Sequence, residues 1–253
     1  TDDAAGNYGF NGNNETYVAW NWKAGGNSNT FNIDGTGYST ASAAGLDGGN
    51  INPTGASINK ASGFGIYTAS PTTASQSISH GLDSAPEMYI FKTTNVTRDW
   101  YVSVNVGGTW KFGTLNTTAA LSTTTAYTAN SNTMVIGGGS SVNEVVYAFT
   151  SVPGYSRIGS YVGNGSATGP VVYLGFEPAF VMIKKTDATG AWSMFDNKRD
   201  PSNPVQKVLQ AQDSAAEQNV GNACNFNSNN FQLTDTNSQR NANGGTYIFI
   251  AIA

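Results

Sequence analysis

Charge is scarce in this chain. Only 11% of its 253 residues are Asp, Glu, Lys or Arg, against about a quarter in ordinary soluble domains. Twelve basic and 16 acidic side chains leave a formal net charge of −4. That balance argues against nucleic acid as a partner, because phosphates demand a basic face. His80 is the only histidine and Cys224 the only cysteine. One His and one distant Cys do not make a zinc site. A Ser–His–Asp triad would have to run through ISHGL, which is not a nucleophile elbow. His80 is therefore expected at a turn or strand end, bonded to backbone. Cys224 allows no intrachain disulfide and is expected to be buried. The lack of disulfides in a chain of this size favours assembly in a reducing cytoplasm. No run of about eighteen apolar residues occurs, so insertion in a membrane is not expected. The chain starts at Thr1 rather than Met, which suggests a processed product or a fragment.

Thr, Ser, Asn and 30 Gly take the place of charge. Hydroxyls and amides satisfy turn backbone well, and such surfaces suit turn-rich β-proteins. Hydrophobic residues at 39% are enough to build a core.

One stretch occurs twice. PEMYIFKTTNVTRDW runs from Pro86 to Trp100, and PAFVMIKKTDATGAW from Pro178 to Trp192. In each, a Lys follows the Pro by six positions (Lys92, Lys184) and the Trp follows the Lys by eight. A short apolar run, a polar turn and a Trp read as strand, loop, strand. The stretch is expected to supply a framework strand and a structural Trp to each of two modules. Three further segments align as apolar strands: 16–23 (TYVAWNWK), 144–149 (EVVYAF) and 247–253 (YIFIAIA). Alternation in the first places Trp20 and Trp22 on a core face rather than on a ligand platform.

The expected fold is all-β, with two tandem related β-sandwich-like modules and at most one short helix. Residues 1–26 read as the closing strand of a preceding repeat, and 27–62 as a Gly/Ser/Asn-rich connecting segment. Residues 63–152 and 153–253 are the two modules. The helix is placed at 205–218, where Val205, Val208 and Leu209 are spaced for one face after Pro201 and Pro204. NIDGTG at 32–37 has the look of a calcium loop but lacks the later acidic ligands, so a turn is expected instead.

No catalytic residues, metal ligands or cofactors are expected. Glu87, Asp99, Glu177, Asp187 and Asp196 form no convincing carboxylate pair by spacing. Trp110 follows a Gly pair and has no counterpart in the second repeat. An unrepeated Trp at a turn is a ligand or interface candidate. Asp196, Lys198 and Arg199 form a charged cluster, most simply a solvated ion-pair turn.

The quoted residues resemble a repeated module of tail-fibre and other virion proteins of bacteriophages, especially marine phages of cyanobacteria. The resemblance is carried by YVAWNWKAGG (17–26), DGTGYSTASAAGL (34–46), PTGASINKASGFGI (53–66), HGLDSAPEMYIFK (80–92), GYSRIGSYVGNG (154–165), GFEPAFVMIKKTD (175–187), FDNKRDPSNPV (195–205) and GGTYIFIAIA (244–253). It implies a non-enzymatic tail-fibre or receptor-binding module on the particle surface. It further implies a homotrimer among other virion proteins, contacting a host glycan or surface receptor. A capsid or tail decoration protein is the alternative, and a polysaccharide-degrading spike a lesser one.

Overall fold

Tyr89 and Phe91 point one way from their strand while Met88 and Ile90 point the other, and both pairs meet apolar neighbours. The same holds around Phe180–Lys185, where Val181 and Ile183 serve one core and Phe180 and Met182 another. A strand covered on both faces reads as a continuous apolar run rather than an alternation. That is why the repeated stretch lacks period two.

The computed structural model describes residues 13–137 and 139–253, which form nineteen strands and one four-residue helix. The first module contains β1 (Phe31–Ile33), β2 (Thr36–Tyr38), β3 (Gly55–Asn59), β4 (Phe64–Ala69), β5 (Gln76–Ser79), β6 (Met88–Thr93), β7 (Tyr101–Val106), β8 (Thr109–Thr114), β9 (Ser122–Thr123), β10 (Thr133–Ile136) and β11 (Glu144–Phe149). The second contains β12 (Ser156–Val162), β13 (Val171–Tyr173), β14 (Phe180–Lys185), β15 (Trp192–Asp196), β16 (Val205–Gln210), β17 (Gln218–Asn227), β18 (Asn230–Leu233), α1 (Ser238–Asn241) and β19 (Thr246–Ile252).

Both modules are built on the same antiparallel order, β4-β11-β6-β7-β8 in one and β12-β19-β14-β15-β16 in the other. Registers match as well. Phe149 lies opposite Phe64 and Met88, and Ile252 lies opposite Ser156 and Phe180. A smaller layer covers the outer face of each central sheet: β5-β10 in the first module, β13-β18-β17 in the second. β16 joins the two layers of the second module by pairing with both β15 and β17.

The inner faces of the two central sheets pack against one another. Twelve buried side chains form this inter-sheet core, among them Phe64, Met88, Val104 and Phe149 from one module and Ile158, Phe180, Trp192 and Ile250 from the other. At roughly 1.5–3 kcal/mol per buried large side chain, the gross burial is on the order of 20 kcal/mol. Chain ordering offsets most of that gross figure, but parting the modules would expose all twelve side chains, so the two are expected to unfold together.

The recurring Lys has a shared task. Lys92 Nζ donates to the carbonyl of Arg98, and Lys184 Nζ to that of Gly190, six residues on in each case. Each lysine thus clasps the loop that turns its strand into the next. Lys184 also reaches Thr118 O of the other module at 2.9 Å. The Trp backbone is repeated too: Trp100 N donates to Asn116 Oδ1 and Trp192 N to Gln212 Oε1. The side chains are not equivalent. Trp192 is 1% exposed and donates its Nε1–H to Thr114 O at 3.0 Å, whereas Trp100 is 38% exposed.

Three expectations need correction. The helix expected at 205–218 is instead strand β16 leading into β17. A β-bulge between Val205 and Lys207 lets Val205 and Val208, three apart, both face the core. The short helix present is α1, capped by the Asn237 side chain, which accepts from Gln239 N. Residues 27–62 are not merely a connector, because β1, β2 and β3 extend the first module's sheet to nine strands. Residues 16–23 form no ladder; they run extended beside the inter-sheet core, with Trp20 and Trp22 half-buried. NIDGTG is the β1–β2 hairpin, whose two turn residues, Asp34 (φ 51°) and Gly35 (φ 84°), take the left-handed conformation of a type I′ turn.

Candidate functional site

Residues 16–22 form a wall shared by two adjoining clefts. On one side, Thr16, Tyr17, Val18 and Ala19 face Lys198, Arg199, Lys207 and Glu217 across a cleft of about 810 Å³. On the other, Trp20 and Trp22 close an apolar cleft of about 440 Å³ between the two central sheets, with Met88, Trp100, Tyr147 and Met194 among its walls. The Phe-rich junction of the modules fixes the wall. Trp22 packs against Phe64 and Phe149 of one module and Phe180 of the other, with ring centroids 6.1–6.4 Å apart. Trp20 packs edge-on to Phe180 at 5.3 Å.

Arg199 is the hinge of the polar cleft. Its Nε bonds Asp196 Oδ2 at 2.6 Å, its Nη1 Glu217 Oε2 at 2.9 Å and its Nη2 the Met194 carbonyl at 3.2 Å. The guanidinium lies 5.6 Å from the Trp20 ring centroid, a cation–π distance. Asp196 is buried, and its Oδ1 accepts from the backbone N–H groups of Lys198 and Arg199. Burial opposes its ionisation, but those N–H bonds and the guanidinium outweigh it and hold the carboxyl below its usual range. The cluster is thus a turn locked from inside, not the solvated ion-pair turn expected from sequence. Asp196 and Arg199 are positioning residues; Lys198 is exposed at the rim. Lys207 lies 3.6 Å from Glu217.

Trp110 does not join this site. It follows the Gly107–Gly108 turn as expected, but it sits in β8 and is buried beside Tyr89 at a centroid distance of 5.8 Å. Its place as the second residue of β8, two past the turn, puts the ring in the core of the first module while Thr109 is exposed. The exposed aromatic at the apolar cleft is instead Trp100, stacked 6.5 Å from Tyr147. Its repeat partner Trp192 is structural, and that equivalence hid it. The signal in the sequence was the flanking Arg98-Asp99, where Trp192 has Gly190-Ala191.

The remaining chemistry-bearing residues have structural partners. His80 is buried, with Nε2 3.0 Å from Asn130 O and Nδ1 accepting from Leu82 N. Burial lowers its pKa, in keeping with a neutral ring. Burial pushes the Cys224 thiol up to about 12. Glu87 accepts from Ser151 N, Asp187 from Thr246 N and Asp99 from the Asn116 amide. Among the described residues, no three His, Cys, Asp or Glu side chains converge as a metal site requires, and no helix is long and apolar enough to cross a membrane.

Two adjoining clefts, one apolar and one of mixed polarity, rimmed by Tyr17, Trp20 and Trp100, can hold a ligand with a hydroxylated or charged part and an apolar face. No curated protein and no solved structure matches the chain. A family model does match, over residues 1–253, and the chain belongs to the family described as Domain of unknown function (DUF7483).

Proposed function

We propose that this chain is a non-enzymatic bacteriophage virion protein, a tail-fibre or receptor-binding module that holds a host-surface glycan in the clefts along residues 16–22. The observation that carries the reading is the polar cleft itself. An exposed Tyr17 and a rim Lys198 stand beside an arginine whose position is fixed by three partners. Sugars are recognised by aromatic faces together with a few fixed hydrogen-bonding groups. The resemblance to phage fibre modules and the hydroxyl- and amide-rich composition support the same reading. They also support a homotrimer displayed on the particle surface among other virion proteins.

The test is adsorption. Purified protein is expected to bind host cells and to compete with phage for attachment, and Lys198→Ala or Tyr17→Ala is expected to weaken both about tenfold, the size of one lost charge-assisted contact. Full competition by both variants would remove this site from the reading, and no cell binding by the parent protein would remove the receptor role. A decoration or connecting role is favoured by one observation, the exposed Val162, Val171 and Tyr173 on the edges of the second module. Density for the chain on the capsid face would decide for that role.

A further inference from the structure

In the first module, the seam between the central sheet and its outer layer is filled by the chain's own residues 48–59. Ile51 N donates to Ser77 O on the free edge of β5, and the side chains of Asn50 and Ser77 bond one another. A few residues on, Thr54 N donates to Thr68 O and β3 pairs along the whole free edge of β4. Ala56 and Ile58 of β3 are buried in the module's core.

The second module has the same seam, and among the described residues no strand fills it. β12 corresponds to β4 and β13 to β5, and they are the two end strands of one eight-stranded sheet that folds over on itself through β16. β11 passes into β12 through only six residues, 150–155, too few for this linker to supply a β3. A groove of about 290 Å³ remains between the two edges, floored by Ile158, Tyr161, Val172 and Phe249. Arg157 Nη1 spans it to Tyr173 O at 2.8 Å. Ile158 N, on the open side, donates to the Ser151 hydroxyl rather than to a ladder, and alternation puts the backbone groups of Ser160 and Val162 on that side too. Where module one has Ser77 and Ser79 under cover, module two has Val171 and Tyr173, 42% and 65% exposed; Val162 across the seam is 60% exposed.

We propose that the open seam of the second module is a strand-accepting site. It takes an extended segment of another polypeptide with the chemistry of residues 48–59: neutral, rich in Gly, Ser and Asn, with apolar side chains at alternate positions. The main chain would pair with β12 as β3 pairs with β4, and the apolar side chains would enter the groove where Ala56 and Ile58 sit in module one. Edge augmentation of this kind draws affinity from backbone pairing and selectivity from the alternate pockets.

The probe is a synthetic peptide of residues 48–59, GGNINPTGASIN, added to the intact chain. It is expected to slow amide hydrogen exchange at Ser160 and Val162 by at least about tenfold, with binding weakened at least about tenfold by Ile58→Asp in the peptide or by Ser160→Pro in the protein. The peptide substitution leaves the protein's fold untouched. The proposal is overturned if the peptide leaves those amides unchanged, or if the Ile58→Asp peptide binds as well as the parent.

Discussion

In the first module Trp100 stands in the open over Tyr147, while in the second its counterpart Trp192 is sealed beneath the first module's Thr114 carbonyl. The seams differ in the opposite sense: closed by residues 48–59 in module one, open in module two. Both modules keep the sheet order, the register and the lysine clasp. Repetition therefore preserves backbone roles, and burial is decided afterwards by what each module packs against. The inter-sheet core covers Trp192 but stops short of Trp100. A segment ahead of β4 covers one seam, and the short linker ahead of β12 cannot cover the other.

The comparison breaks first if the modules are separable. A single unfolding transition is expected, with Cys224 becoming reactive to thiol reagents at the same denaturant concentration at which β6 loses amide protection. Burial shields that thiol from solvent and from reagent, so labelling reports opening of the second module. Two resolved transitions would sink the single-unit reading.

Next in size is the tryptophan pair. Trp192→Ala should cost about 3–5 kcal/mol in urea unfolding, the usual range for emptying a buried aromatic site. Trp100→Ala should cost about 1 kcal/mol or less, as expected for a partly exposed side chain. Equal losses would mean that repeat position, not burial, sets the contribution.

The lysines differ by pH. Burial lowers Lys184 to about 8 from an unfolded value of 10.5. Between those values the unfolded chain binds more protons, so stability attributable to Lys184 rises with pH there. The buried tyrosines Tyr67, Tyr89 and Tyr161, whose pKa values burial raises, work against stability above about pH 10. The cleanest window is therefore pH 8 to 9.5. Stability of the parent relative to Lys184→Met should climb there by about 1 kcal/mol after allowance for solvent screening. A flat difference would contradict a buried ammonium. The smallest effect belongs to Lys198→Ala, expected to change stability by no more than about 0.5 kcal/mol. A larger loss would make Lys198 part of the locked turn rather than its rim.

Much of the architecture is written in local pattern. The Pro–Lys–Trp spacing locates β6 and β14, because a strand buried on both faces needs an unbroken apolar run and its loop needs the clasp. The all-β class follows from the same runs and from the turn residues between them. The site was less legible. Arg199 and Asp196 were marked by charge, but their burial depends on Glu217 and Trp20, which lie 18 and 179 positions away from Arg199. Val205 and Val208 mimic helical spacing because a bulge shifts the strand's phase, and no single residue announces a bulge. Trp110 and Trp100 exchanged roles because exposure depends on which sheet covers the ring.

The inter-sheet core joins equivalent strands of the two modules face to face, in the manner of a two-fold dimer interface. Such a contact is self-completing: each module consumes the surface by which it would recruit another. Lengthening by duplication would then add modules in couples, and an odd module would expose an inner face with Phe, Met and Ile where its mate should be.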